Sequence, residues 1–173
     1  MAPSRCLGVA AGTPFWTVHH GCMAEFRIVQ DVAAPAGSVF DRLVDWDAHS
    51  AAIPLTRLHH DGAAVVGQRF VARTRVGRIG FDDPMEVQLL RRPAGDRPGE
   101  VEGVVEVAKT GRVVTGRVRW TVTPTETGAR VEWVQQLTVG WLPRFLDPVV
   151  GVVSRAAYGA GLAGLLGPLR SNT

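Results

Sequence analysis

From Ala24 to Val32 apolar and polar residues alternate, with Phe26, Ile28 and Val32 on one side and Arg27 and Asp31 on the other. That period of two predicts a strand with one wet face. Pro35 suits the first turn of a helix, and Val39, Phe40, Leu43 and Val44 then recur at helical spacing as far as Asp45. Residues 46 to 52, opening on Trp46, predict a second short helix that stops before Pro54, because a proline disfavours helix in the residue preceding it. Six more strands are predicted near residues 55–60, 67–76, 84–92, 100–109, 112–123 and 129–139, with turn pairs such as Asp61-Gly62, Gly95-Asp96, Thr110-Gly111 and Thr127-Gly128 between them. The short connections suit an antiparallel meander, and folding the hairpin about Thr110-Gly111 sets Glu102 near Arg119.

Beyond Gly140 the alternation stops, and residues 143–167 predict one long helix with Pro168 at its end. Turned at helical pitch, it shows Phe145, Val149, Val152, Ala156, Ala160, Ala163 and Gly167 on one side, which is expected to face inward. Asp147, Ser154, Arg155 and Tyr158 take the other side. Leu162, Leu165 and Leu169 drift onto that polar side and are a candidate contact for a partner or a membrane surface. Gly151, Gly159, Gly161 and Gly164 each cost a helix interior about 1 kcal/mol relative to alanine, so close contact with a neighbour or room for a guest molecule must offset them. The uncharged run from Ala156 to Leu169 is too short to cross a bilayer, and no transmembrane segment is expected.

The 173 residues suit one domain, and with 46% apolar and 20% charged residues the chain reads as globular. A pI of 9.5 suggests nucleic acid at first sight. The net charge is only +3, however, and Lys109 is the sole lysine in a chain rich in Ala, Gly and Val. The excess of arginine therefore reflects composition more than phosphate recognition, and no nucleic-acid partner is expected. Cys6 and Cys22 are the only cysteines, which excludes a disulfide framework for the body of the domain. Residues 1–22 are expected to be a disordered extension, with Met23 opening the domain that runs to about residue 170. Its apolar stretch is broken by Gly12, Thr13 and Pro14 and followed by His19 and His20, so it is a poor export signal, and a cytoplasmic location is expected. His19, His20 and Cys22 lack the separated pairs of a zinc site, and neither metal nor cofactor is expected.

Strand, two short helices, six strands and a long terminal helix is an order with a known counterpart. The segments VAAPAGSVFDRLVDWDAHSAAIP and GRVRWTVTPTETGARVEWVQQLTV, with the final helix, resemble the START-like, Bet v 1-like superfamily, also called SRPBCC or polyketide cyclase/dehydrase-type. The resemblance covers nearly the whole chain from Met23 onward. It implies an α+β helix-grip fold: a curved antiparallel sheet of seven strands around a long C-terminal helix, with an apolar cavity between them. It specifies a fold better than an activity, since such folds host carriers, binders and enzymes.

On that fold, alternation selects the lining of the cavity. Val114, Gly116, Val118, Trp120 and Val122 share one side of their strand, as do Val131, Trp133, Gln135, Leu137 and Val139, and Met85, Val87 and Leu89. Phe70, Ala72 and Thr74 do likewise, as do Val101, Gly103, Val105 and Val107. The expected ligand-binding residues are Trp46, Phe70, Thr74, Met85, Val87, Trp120, Trp133 and Gln135 with Val152, Ala156 and Ala160 of the helix. This lining is almost free of ionisable groups, so binding or carriage of a small hydrophobic molecule, lipid or polyketide-like, is the leading expectation. The alternatives are a cyclase or dehydratase, with His49 at the cavity mouth as candidate base and Asp82 or Asp83 in a loop at the entrance, or an interaction module with no ligand.

Overall fold

The computed structural model describes residues 24–53, 55–139 and 147–170. The expectations about residues 1–22, Phe145 and the start of the final helix lie outside these. Strand β1 (Ala24–Val32) is followed by helices α1 (Ala36–Leu43) and α2 (Trp46–Ala52). Strands β2 (Thr56–His59), β3 (Arg69–Val76), β4 (Ile79–Arg91), β5 (Gly103–Thr110), β6 (Val114–Thr125) and β7 (Gly128–Val139) come next, and then helix α3 (Asp147–Arg170). The seven strands form one antiparallel sheet in the order β1-β7-β6-β5-β4-β3-β2, the curled half-barrel of the helix-grip fold.

Local chemistry fixes the bend after β1. Asp45 caps α2 by accepting from the Ala48 amide at 3.0 Å. The buried imidazole of His49 donates from Nε2 to the Leu43 carbonyl at 2.8 Å, which satisfies an otherwise orphaned group at the end of α1. Arg42 of α1 reaches across to donate to the Leu165 carbonyl of α3 at 3.0 Å.

The outer face of the sheet is laced with exposed ion pairs, including Arg27–Glu132, Arg130–Asp31, Arg69–Glu86 and Arg73–Asp82. Solvent screens such pairs, so they contribute little to stability. The β5–β6 hairpin corrects one expected pairing. Its turn spans four residues between Thr110 and Thr115, so Arg119 stands opposite Glu106 and bonds to it at 2.9 Å, while Glu102 accepts from Thr123.

Two other expectations are overturned. A β-bulge between Val87 and Leu89 inserts one residue into β4 and reverses the faces beyond it. Leu89 therefore points outward, and Leu90 packs against the core in its place. The second correction concerns α3, whose inward face is the one expected to be polar. Leu162, Leu165 and Leu166 are fully buried and Tyr158 and Leu169 pack against the core, whereas Val152 is 70% exposed and Ala156, Ala160 and Ala163 lie on the outside. Leu162, Leu165 and Leu169 are thus core residues and not a surface for a partner or membrane. The glycines divide: Gly161 lies against Ile53 and Gly164 against Ala52, while Gly151 and Gly159 have open space around them. No helix among the described residues is long and apolar enough to cross a membrane.

Candidate functional site

The concave face of the sheet carries a continuous line of rings. Phe70 of β3 stacks on Trp46 of α2 with centroids 4.4 Å apart. Trp46 and His49 both meet Trp120 of β6, at 6.3 and 5.5 Å. Trp120 meets Trp133 of β7 edge-on at 5.1 Å, Trp133 meets Tyr158 of α3 at 5.4 Å, and Tyr158 stacks on Phe26 of β1 at 5.5 Å. The sequence placed Trp46, Phe70, Trp120 and Trp133 together, and the structure does the same. It adds Phe26 and Tyr158, the latter expected from helical pitch on the outer side of its helix with Ser154 and Arg155.

Among the described residues, three N–H donors on this face have no partner. Gln135 is wholly buried, and its Oε1 accepts from Trp133 Nε1 at 3.1 Å, which turns Nε2 away with nothing to bond. Trp120 Nε1 and Gln30 Nε2 are buried and unpartnered as well. A buried donor left unsatisfied costs about 1–3 kcal/mol, so three of them on one wall are a liability that a guest's acceptor atoms would remove.

The remaining expected residues are distributed unevenly. Val87 is fully buried and Met85 partly so, both beside the core. The Thr74 hydroxyl is shared with Thr56 at 2.9 Å, on the β2 side of the sheet. Val152, Ala156 and Ala160 turn away from the concave face. His49 is not at a mouth; it is buried between Trp46 and Trp120. Burial pushes its pKa below the ordinary histidine value, against the raising effects of the Leu43 carbonyl and Asp45.

Sequence reasoning missed the charged part of the interior. Lys109 continues the inward series Val105, Val107 on β5, and its ammonium is paired with Asp83 Oδ2 of β4, both groups being buried. Nζ also points at Met85 Sδ, 3.6 Å away. Burial opposes the charge on Lys109, but the Tyr158 phenol oxygen and the Asp83 carboxylate outweigh it and raise the pKa above the ordinary lysine value. Asp83 belongs to a strand and not to a loop, because β4 begins at Ile79 and runs through Pro84. The proline is tolerated because it lies just beyond Met85, where pairing with β5 ends. An open groove of about 760 Å³ runs past Asp47, His59, His60 and Arg69 to Phe70, Pro84, Met85 and Thr110; it ends at chain neighbours of the pair, and neither Lys109 nor Asp83 lines it.

The fold recurs in solved structures of low sequence identity. An aromatase/cyclase, Zhui, from a Streptomyces species superposes with a TM-score of 0.63 at 17% identity, covering 87% of this chain and 94% of its own. Norcoclaurine synthase from Thalictrum flavum, in complex with dopamine and hydroxybenzaldehyde, gives 0.63 at 12%, covering 94% and 99%. Ara h 8.0201 gives 0.62 at 11%, covering 87% and 100%. No curated protein matches the chain by sequence. A family model does, over residues 23–166, and with that match the chain belongs to the family described as polyketide cyclase / dehydrase and lipid transport.

Proposed function

We propose that the protein binds a small, mainly apolar molecule bearing carbonyl oxygens between the concave face of the sheet and α3. The observation that supports this most directly is the set of unpartnered donors, Gln30 Nε2, Trp120 Nε1 and Gln135 Nε2, on an otherwise apolar and aromatic wall. Rings supply contact area, and the donors select a guest with acceptors and orient it. Native mass spectrometry of the purified protein, with organic extraction, is expected to reveal a co-purified guest or binding from a panel of fatty acids, sterols and aromatic polyketides. Gln135→Leu should weaken binding of carbonyl-bearing members of the panel more than that of hydrocarbons. A protein that is empty and ignores the whole panel refutes the reading.

A cyclase or dehydratase reading has one observation in its favour. The Lys109–Asp83 pair, with Tyr158 beside it, places ionisable groups next to the apolar wall, where acid–base chemistry would need them. In that reading Asp83→Asn abolishes turnover of a poly-β-ketone substrate while binding persists. Turnover equal to the wild type removes it.

A further inference from the structure

The buried pair is incompletely bonded. Asp83 Oδ2 takes the Lys109 ammonium, but Asp83 Oδ1 is buried and accepts nothing. Of the three N–H groups on Nζ, one is directed at Asp83 Oδ2 and one at Met85 Sδ, which leaves one to give. Tyr158 acts on Lys109 through its charge distribution, yet its hydroxyl does not satisfy Oδ1. Opposite Lys109 on β6 stands Gly116, so no side chain covers the ammonium from that position.

A carbonyl oxygen could accept from Nζ but would leave Oδ1 orphaned. A carboxylate would bring a second anion against Asp83 in a poorly screened site. A hydroxyl does both tasks, donating to Oδ1 while accepting from Nζ, and it leaves the pair electrically neutral. We propose that Lys109 and Asp83 form a receptor for one neutral hydroxyl group, phenolic or enolic, of the guest. This deepens the reading that a guest lies beneath α3 and rests on it.

The test uses the full chain at neutral pH with three probes that share one skeleton: 2-naphthol, naphthalene and 2-naphthoate. Because Lys109 is the only lysine, ¹⁵N-lysine labelling gives a single side-chain ammonium signal that reports on the site directly. Calorimetry is expected to show 2-naphthol binding about tenfold more tightly than naphthalene, with 2-naphthoate weaker than 2-naphthol. The Lys109 signal should move with 2-naphthol and stay in place with naphthalene. In the double variant Asp83→Val, Lys109→Met the two affinities should converge. Equal affinities for 2-naphthol and naphthalene with an unmoved lysine signal overturn the receptor while leaving the cavity intact. Preference for 2-naphthoate makes the site an anion pocket and overturns the proposal too. Binding of none of the three overturns both this proposal and the reading beneath it.

Discussion

Trp46 and Phe70 stack with centroids 4.4 Å apart, and the same indole donates to Gln68 Oε1 at 3.0 Å. Gln68 in turn donates to the carbonyls of Asp61 and Gly62, so one tryptophan joins α2, the start of β3 and the loop before it. The residue that opens the second short helix therefore locks one end of the sheet to the helices.

Removing that lock should be costly. Trp46→Ala is expected to lose about 3–5 kcal/mol of unfolding free energy. Trp46→Phe retains a ring but strands Gln68 Oε1, and should lose about 1–3 kcal/mol. Urea denaturation followed by circular dichroism measures both, and a Trp46→Ala protein as stable as the wild type would mean that the stack contributes nothing.

His49 predicts a pH dependence. Its folded pKa lies below the unfolded value because burial disfavours the imidazolium. As pH falls past about 6.5 the unfolded chain takes up a proton that the folded chain refuses. The stabilisation is thus complete above that pH and shrinks below it, by up to about 1.4 kcal/mol per pH unit until the folded pKa is reached. His49→Gln can still donate to Leu43 but cannot titrate. The difference in stability between wild type and His49→Gln, measured between about pH 7.5 and 5.5, should narrow as the solution is acidified.

The Lys109–Asp83 pair predicts non-additivity. Lys109→Met alone buries an unpaired carboxylate and should cost about 3–5 kcal/mol. Adding Asp83→Val removes that charge, and the double variant should recover to within about 1 kcal/mol of the wild type or exceed it. A double-mutant cycle in urea gives the answer, and simple addition of the single effects would show that the two groups do not interact.

Helix α3 predicts an asymmetry between its faces. Leu166→Ala, at a fully buried position, should cost about 2–5 kcal/mol. Val152→Glu and Ala160→Glu, on the outer side, should change stability by no more than about 0.5 kcal/mol. If the glutamates unfold the protein and the alanine does not, the orientation of the helix is wrong.

The order and kind of every element could be read from the residues, because strands such as Ala24–Val32 alternate cleanly and the two short helices are bounded by Pro35, Asp45 and Pro54. What escaped depended on events that periodicity does not encode. A bulge after Val87 shifts the faces of β4 by one residue, with no glycine there to announce it. Helix α3 is apolar nearly all round, so its sequence does not choose a face; contacts of Gly161 and Gly164 with Ile53 and Ala52, and of Leu165 with Arg42, choose it. Lys109 was within reach, since Val105, Val107 and Lys109 obey one alternation. A lysine next to a turn normally points to water, so the inward series is expected to end at Val107. Its partner Asp83 lies 26 positions earlier, and only the β4–β5 register brings the two together.

That burial has a consequence for covalent chemistry. The chain has a single side-chain amine, and the fold withholds it from solvent. Conjugating enzymes and reagents too bulky to enter beneath α3 thus find no ε-amino substrate on the native body, and a bulky adduct at this position records that the sheet has opened. Bulky labelling at Lys109, read by peptide mass, becomes a clock for unfolding.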